Sequence, residues 1–141
     1  MRLCVLDCSL AMAWVFEDEA NSDADALAER LRENDSVVVP AVLWSLEVAN
    51  ALRTGVLKKR ISPERAEERR VAFANLPVVT VPCPHGLGDS LKALMHTHRL
   101  TSSDATYLAV AIEHLLALAT NDDPLRKAAK KAGVSLWRER G

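Results

Sequence analysis

Short apolar runs alternating with longer stretches of helical periodicity set the architecture open to this 141-residue chain. Leu3–Leu6, Val37–Val39, Val78–Val81, Leu116–Ala119 and Val134–Trp137 are apolar enough to be covered on both faces, the pattern of a parallel sheet. Between them, helices are expected at 10–17, 23–34, 41–54, 63–75, 88–98, 103–115 and 124–132. Local punctuation agrees: Pro40 follows the second run, Gly55 ends the third helix, Ser62-Pro63-Glu64 opens the fourth, and Gly133 stops the last. Strand followed by helix, repeated, predicts one α/β domain over residues 1–141, with a mostly parallel five-stranded sheet flanked by helices. No internal repeat or low-complexity linker interrupts it.

Charge is unevenly placed. Residues 1–35 hold three basic and nine acidic side chains, a balance of −6, and the remainder hold fifteen and ten, a balance of +5, against a net charge of −1. The net charge argues against a DNA-coating protein, whereas an acidic flank beside a basic face is a modest hint of a polyanionic partner. The three cysteines, Cys4, Cys8 and Cys83, lack the spacing of a metal knuckle and read as reduced thiols of a cytoplasmic protein. Met1–Asp7 is too short and too soon charged for a signal peptide, and no run of about 18 apolar residues implies a membrane span.

In an open α/β sheet, ligands bind outside the carboxyl ends of the strands. Four acids stand near such places. Asp7 ends the first strand, where it reads either as a helix cap or as a functional carboxylate, and Ser9 is an alternative cap. Glu47 lies in an almost wholly apolar helix, sharing a narrow polar stripe with Asn50 and Thr54. Such a carboxylate faces solvent or, if buried, needs a compensating partner such as a metal ion. Asp104, three residues after Thr101, has the look of a capping box. Asp122 and Asp123 follow the fourth strand; one is expected to cap the next helix, leaving the other spare. Carboxylates converging on one edge repel, and a hard cation such as Mg²⁺ or Mn²⁺ is the usual remedy. His96 and His98, two apart on a helix, point to different sides and read as surface residues, not a zinc site.

These segments carry a family resemblance. Val5-Leu6-Asp7-Cys8-Ser9, Leu46-Glu47-Val48-Ala49-Asn50, Ser103-Asp104-Ala105-Thr106-Tyr107 and Leu118-Ala119-Thr120-Asn121-Asp122-Asp123-Pro124 resemble, in order, the four acidic motifs of PIN-domain ribonucleases. The length is similar to that of VapC-like toxins from bacterial VapBC toxin–antitoxin pairs. The resemblance implies a PIN fold and Mg²⁺-dependent RNA cleavage, with Mn²⁺ as a substitute. Asp7, Glu47, Asp104 and Asp122 would be the catalytic and metal-holding acids, supported by Ser9, Asn50 and Thr120. It selects Asp122 over Asp123, because the active acid stands two residues after the threonine. It also implies products with a 5′-phosphate and a 3′-hydroxyl, a homodimer, and inhibition by a cognate antitoxin. Lys58, Lys59 and Arg60 are candidate contacts to the RNA backbone or a solvated loop.

Other classes fit less well. A haloacid-dehalogenase-like phosphatase wants a second Asp two residues after the first, where this chain has Ser9. A response-regulator receiver wants an Asp after a central strand, but Val78–Val81 leads into Pro82-Cys83-Pro84. Dinucleotide binding lacks its glycine-rich turn. The remaining alternative is a catalytically inactive PIN-like module that only binds RNA or protein; with all four acids present, activity is the expected state.

Overall fold

The computed structural model describes residues 1–138. Strand β1 (Arg2–Leu6) leads into the short helix α1 (Cys8–Ala11), a 3₁₀ turn at Met12–Trp14 and another at Glu17–Glu19. There follow α2 (Ser22–Arg32), β2 (Ser36–Pro40), α3 (Leu43–Leu57), α4 (Pro63–Ala74) and β3 (Val78–Val81). The chain ends with α5 (Asp89–His98), α6 (Ser102–His114), β4 (Ala117–Ala119) and α7 (Asp123–Lys131).

The sheet has four strands in the order β3-β2-β1-β4, all parallel, rather than the expected five. The fifth run makes only an isolated bridge, Leu136 to Leu118, held by Leu118 N to Ser135 O and Trp137 N to Leu118 O. Central burial is as expected: Cys4–Leu6, Val37–Val39 and Leu118–Ala119 are nearly inaccessible. Strand β3 departs from the expectation of two covered faces, since it is an edge strand and Thr80 is exposed. The helix expected at 10–17 starts earlier and tightens after one turn, splitting into α1 and the 3₁₀ turn at Met12–Trp14.

Sequence punctuation acts as expected elsewhere. Ser62 caps α4 by accepting from Arg65 N, with Pro63 in the first turn, and Thr101 caps α6 by accepting from Asp104 N. Gly55 is required by a close approach: a Cβ there would stand 2.7 Å from Phe16 Cζ and 3.1 Å from Ile61 Cγ2. Cys4 and Cys8 are buried free thiols, whose pKa burial pushes up to about 12. No described helix is long and apolar enough to cross a membrane.

Candidate active site

The order β3-β2-β1-β4 places a switch between β1 and β4: from β1 the chain proceeds to β2 on one side, while β4 joins on the other. Ligands in such sheets bind in the crevice beyond the strand ends at this point. Asp7 leaves the end of β1, and Thr120–Asp122 leaves the end of β4. The two segments are tied by Asp7 N donating to Ala119 O at 2.9 Å.

Asp7 stands at the N-cap of α1, yet its side chain makes no capping hydrogen bond, so the capping reading fails. Instead Ser9 Oγ and Thr120 Oγ1 both donate to Asp7 Oδ2, each at 2.6 Å. A hydroxyl has one proton, so both protons are committed to Asp7, and the 3.1 Å Ser9–Thr120 contact brings two acceptors together. Their lone pairs take the amides of the following loop: Asn121 N donates to Ser9 Oγ at 2.9 Å and Asp122 N to Thr120 Oγ1 at 3.0 Å. The loop after β4 thus orients two hydroxyls, which fix one oxygen of Asp7 and leave Oδ1 without a hydrogen bond among the described residues. Asp7 is 4% exposed. Burial raises its pKa, the two hydroxyls pull it down, and the charges of Glu47 and Asp122 raise it further.

Glu47 projects from α3, which starts abruptly. Val42 forms a γ-turn, with φ 69°, ψ −52° and Leu43 N donating to Ala41 O at 2.8 Å. This geometry is strained for any L-residue, and most of all for a β-branched one. Half-buried Glu47 accepts from the hydroxyl of inaccessible Tyr107 on α6 at 2.5 Å. Burial raises the Glu47 pKa, the Tyr107 bond lowers it, and Asp104 raises it. Asp104 occupies the first turn of α6; burial, then the charges of Asp122 and Asp7, raise its pKa to about 6 against the lowering effect of Thr101.

Asp122 resolves the doubled acid. Its Oδ2 caps α7 by accepting from Leu125 N at 2.9 Å, and its charge acts on both Asp7 and Asp104. Asp123 is exposed in the first turn of α7. Cap and site acid are therefore one residue, where one cap and one spare acid were expected.

Asp7 is within electrostatic reach of Glu47, Asp104 and Asp122, and Asp104 of Glu47 and Asp122 as well; Ser9 and Thr120 serve Asp7 directly. Asn50 does not join this network; it is exposed and makes no hydrogen bond among the described residues. Tyr107 is the residue the sequence reading missed, although its position three after Asp104 puts both on one helical face. Among the described residues, no three His, Cys, Asp or Glu side chains are arranged to hold a metal ion together. The donors are nonetheless hard oxygens whose mutual repulsion a divalent cation relieves.

Two other expectations shift, those for Arg60 and His98. Arg60 is taken: it bonds Asp18 and Glu19 at 2.9–3.0 Å and lies 3.9 Å over the Phe16 ring. Leu10, Phe16 and Trp44 are buried inside this chain, with Trp14 and Trp44 packed on Phe73. His98 is part-buried rather than a surface residue.

The chain was compared with known proteins. No curated protein sequence gives a significant match. Among solved structures, it is similar to PAE2754 from Pyrobaculum aerophilum, with 22% identity, a TM-score of 0.63, and 91% of this chain and 87% of that one covered. It is also similar to FitAcB from Neisseria gonorrhoeae, with 14% identity, a TM-score of 0.54, and 95% and 96% covered. Both likenesses concern the fold. The PIN domain profile matches residues 4–131, a span that takes in Asp7, Glu47, Asp104 and Asp122. The chain belongs to the PIN domain family.

Proposed function

We propose that this protein is a metal-dependent endoribonuclease and the toxin component of a toxin–antitoxin pair. PIN domains are generally nucleases that use divalent metals. The observation that carries the reading is the Asp7 arrangement: a buried carboxylate with one oxygen held by two hydroxyls and the other left without a donor, facing the charges of Glu47 and Asp122. A purely structural Asp at a helix start would cap the helix, which Asp7 does not. The inactive-module alternative gives no reason to keep such mutually repelling acids together.

Asp7, Asp104 and Asp122 are the residues that would hold the metal. Among the described residues no three acids are arranged to hold one ion together, so water and phosphate oxygens would complete the coordination, as Mg²⁺ prefers. A bound ion would polarise the phosphate and lower the pKa of a bound water. Glu47, held by Tyr107, orients water at the rim. Ser9 and Thr120 hold Asp7 in one rotamer and oppose the rise of its pKa. Hydrolysis by water leaves a 5′-phosphate and a 3′-hydroxyl.

The partners we assign are RNA, a cognate antitoxin that approaches the acids with an Arg or Lys, and a second copy of the chain. Exposed Val42 and Leu46, 70% and 62% accessible at the start of α3, support a protein contact beside the site.

Incubation of the protein with single-stranded RNA, with Mg²⁺, Mn²⁺ or EDTA, tests the reading. Cleavage that needs metal and leaves kinase-refractory ends, which become labelled only after phosphatase treatment, is the expected result. Undiminished cleavage in excess chelator, or cyclic-phosphate ends, would overturn it.

A further inference from the structure

A cleft of about 550 Å³ lies between the end of α5 and the exposed face of α7, lined by Thr97, His98, Arg99, Pro124, Lys127 and Lys131. Every titratable group in this lining is a base. Among the described residues, Arg99, Lys127 and Lys131 make no ion pair, whereas Arg30, Arg32, Arg60 and Arg70 all do. One ring nitrogen of His98, Nδ1, is buried without a hydrogen-bond partner. Three uncompensated cations on one concave wall raise the local concentration of anions.

Both walls begin at the candidate site. Pro124 is two residues beyond Asp122. Arg99 closes α5 with φ 52°, and two residues later Thr101 caps the helix that carries Asp104. Pro124, Lys127 and Lys131 fall on one face of α7, so the cleft runs about 10 Å away from the acids, at 1.5 Å per residue. Lys127 and Lys131 stand one turn apart along it. Among the described residues, no Phe, Tyr or Trp lines the cleft, which leaves cationic contact with the backbone as its main mode of binding.

Building on the nuclease reading, we propose that this cleft is the track of the RNA strand beside the scissile bond, gripping successive phosphates with Arg99, Lys127 and Lys131. Backbone contacts of this kind position a strand without reading its sequence.

The test uses the full-length protein and the variants Arg99→Ala and Lys127→Ala/Lys131→Ala, with melting temperature confirming that each is folded. Anisotropy of a fluorescent ten-nucleotide RNA, measured in EDTA across a salt series, reads affinity. Loss of two phosphate contacts should weaken binding about tenfold or more and flatten the plot of log K against log salt by about 1.4, at 0.7 per single-strand phosphate. With Mg²⁺ present, the rise in KM should be at least several-fold larger for the ten-nucleotide RNA than for a dinucleotide. Wild-type protein that binds and cleaves RNA, beside double-alanine protein with the same affinity and salt slope, overturns the track and leaves the nuclease reading standing. Unaltered RNA affinity with lost binding of a polyglutamate peptide overturns it in favour of an acidic protein segment. Wild-type protein that neither binds nor cleaves RNA sinks both readings.

Discussion

Tyr107 donates its hydroxyl to Glu47 Oε1 across 2.5 Å, joining α3 and α6 through two residues that lie 60 apart in sequence. Tyr107→Phe keeps the ring and removes the donor. Glu47 then loses the bond that lowers its pKa, while burial and Asp104 continue to raise it. The acid limb of the cleavage pH profile should move upward, with activity reduced roughly tenfold below neutrality and partly restored at alkaline pH. Stability should fall by about 1.5–3 kcal/mol, the range for a hydrogen bond to a charged group. An unmoved acid limb would leave Tyr107 with packing alone.

Amide substitutions separate charge from shape. Asp7→Asn, Glu47→Gln, Asp104→Asn and Asp122→Asn should each cost orders of magnitude in cleavage, while metal-free melting temperatures hold or rise because repulsion is relieved. Asp123→Asn should remain active. At position 122, asparagine caps a helix about as well as aspartate, so Asp122→Asn should be inactive but stable. Asp122→Ala should in addition lose about 0.5–2 kcal/mol. Near-wild-type cleavage in Asp7→Asn would refute the site.

The raised carboxyls predict the pH dependence of stability. A group whose folded pKa exceeds its unfolded one stabilises the native state at low pH, and this contribution is lost as pH rises through the folded value. For Asp104 the window runs from 3.8 to about 6. In EDTA, Asp104→Asn should melt close to wild type near the bottom of that window and above it at neutrality. The gap should be a few degrees at most, because a half-exposed carboxyl is screened by solvent. A gap that does not change with pH would show that Asp104 carries no such charge strain.

Gly55→Ala tests the packing beneath Arg60. The added methyl would meet Phe16 Cζ at 2.7 Å, and Phe16 is 5% exposed, so it has little room to yield. Destabilisation of about 1–3 kcal/mol is expected from overpacking, read by chemical denaturation. An unaltered midpoint would mean that the ring moves freely.

Legibility in the sequence followed how local each cause was. Strands β1, β2 and β4 are visible because continuous apolar runs have one stable home, under helices on both faces. Val134–Trp137 has enough apolar character to be read as a strand, but it pairs only through Leu136, where Ser135 and Trp137 meet Leu118. Ladder length depends on the partner strand, and β4 is only three residues long. The edge position of β3 follows from topology, to which composition is blind. Trp14 and Trp44 mark an apolar surface without saying what covers it; Phe73, on a helix that supplies no motif, covers both. The four acids were picked from strand ends and motifs, and the fold brings them near one another. The bond between Tyr107 and Glu47 was not legible, because it depends on how α3 and α6 are placed by the sheet. The basic cleft was likewise hidden, since Arg99 and Lys127 are brought together only because α5 and α7 both pack against α6.

The double employment of Asp122 bears on how such a chain changes over generations. A position that closes a helix tolerates only a short list of residues, and among them asparagine retains the cap while discarding the charge. On the proposed nuclease reading, a lineage released from the need to cut RNA falls silent by a conservative exchange at this position, keeping α7 and its row of lysines intact. What survives on that reading is a folded descendant that keeps the basic cleft and no longer cleaves. The sheet switch point makes that descendant a single substitution away.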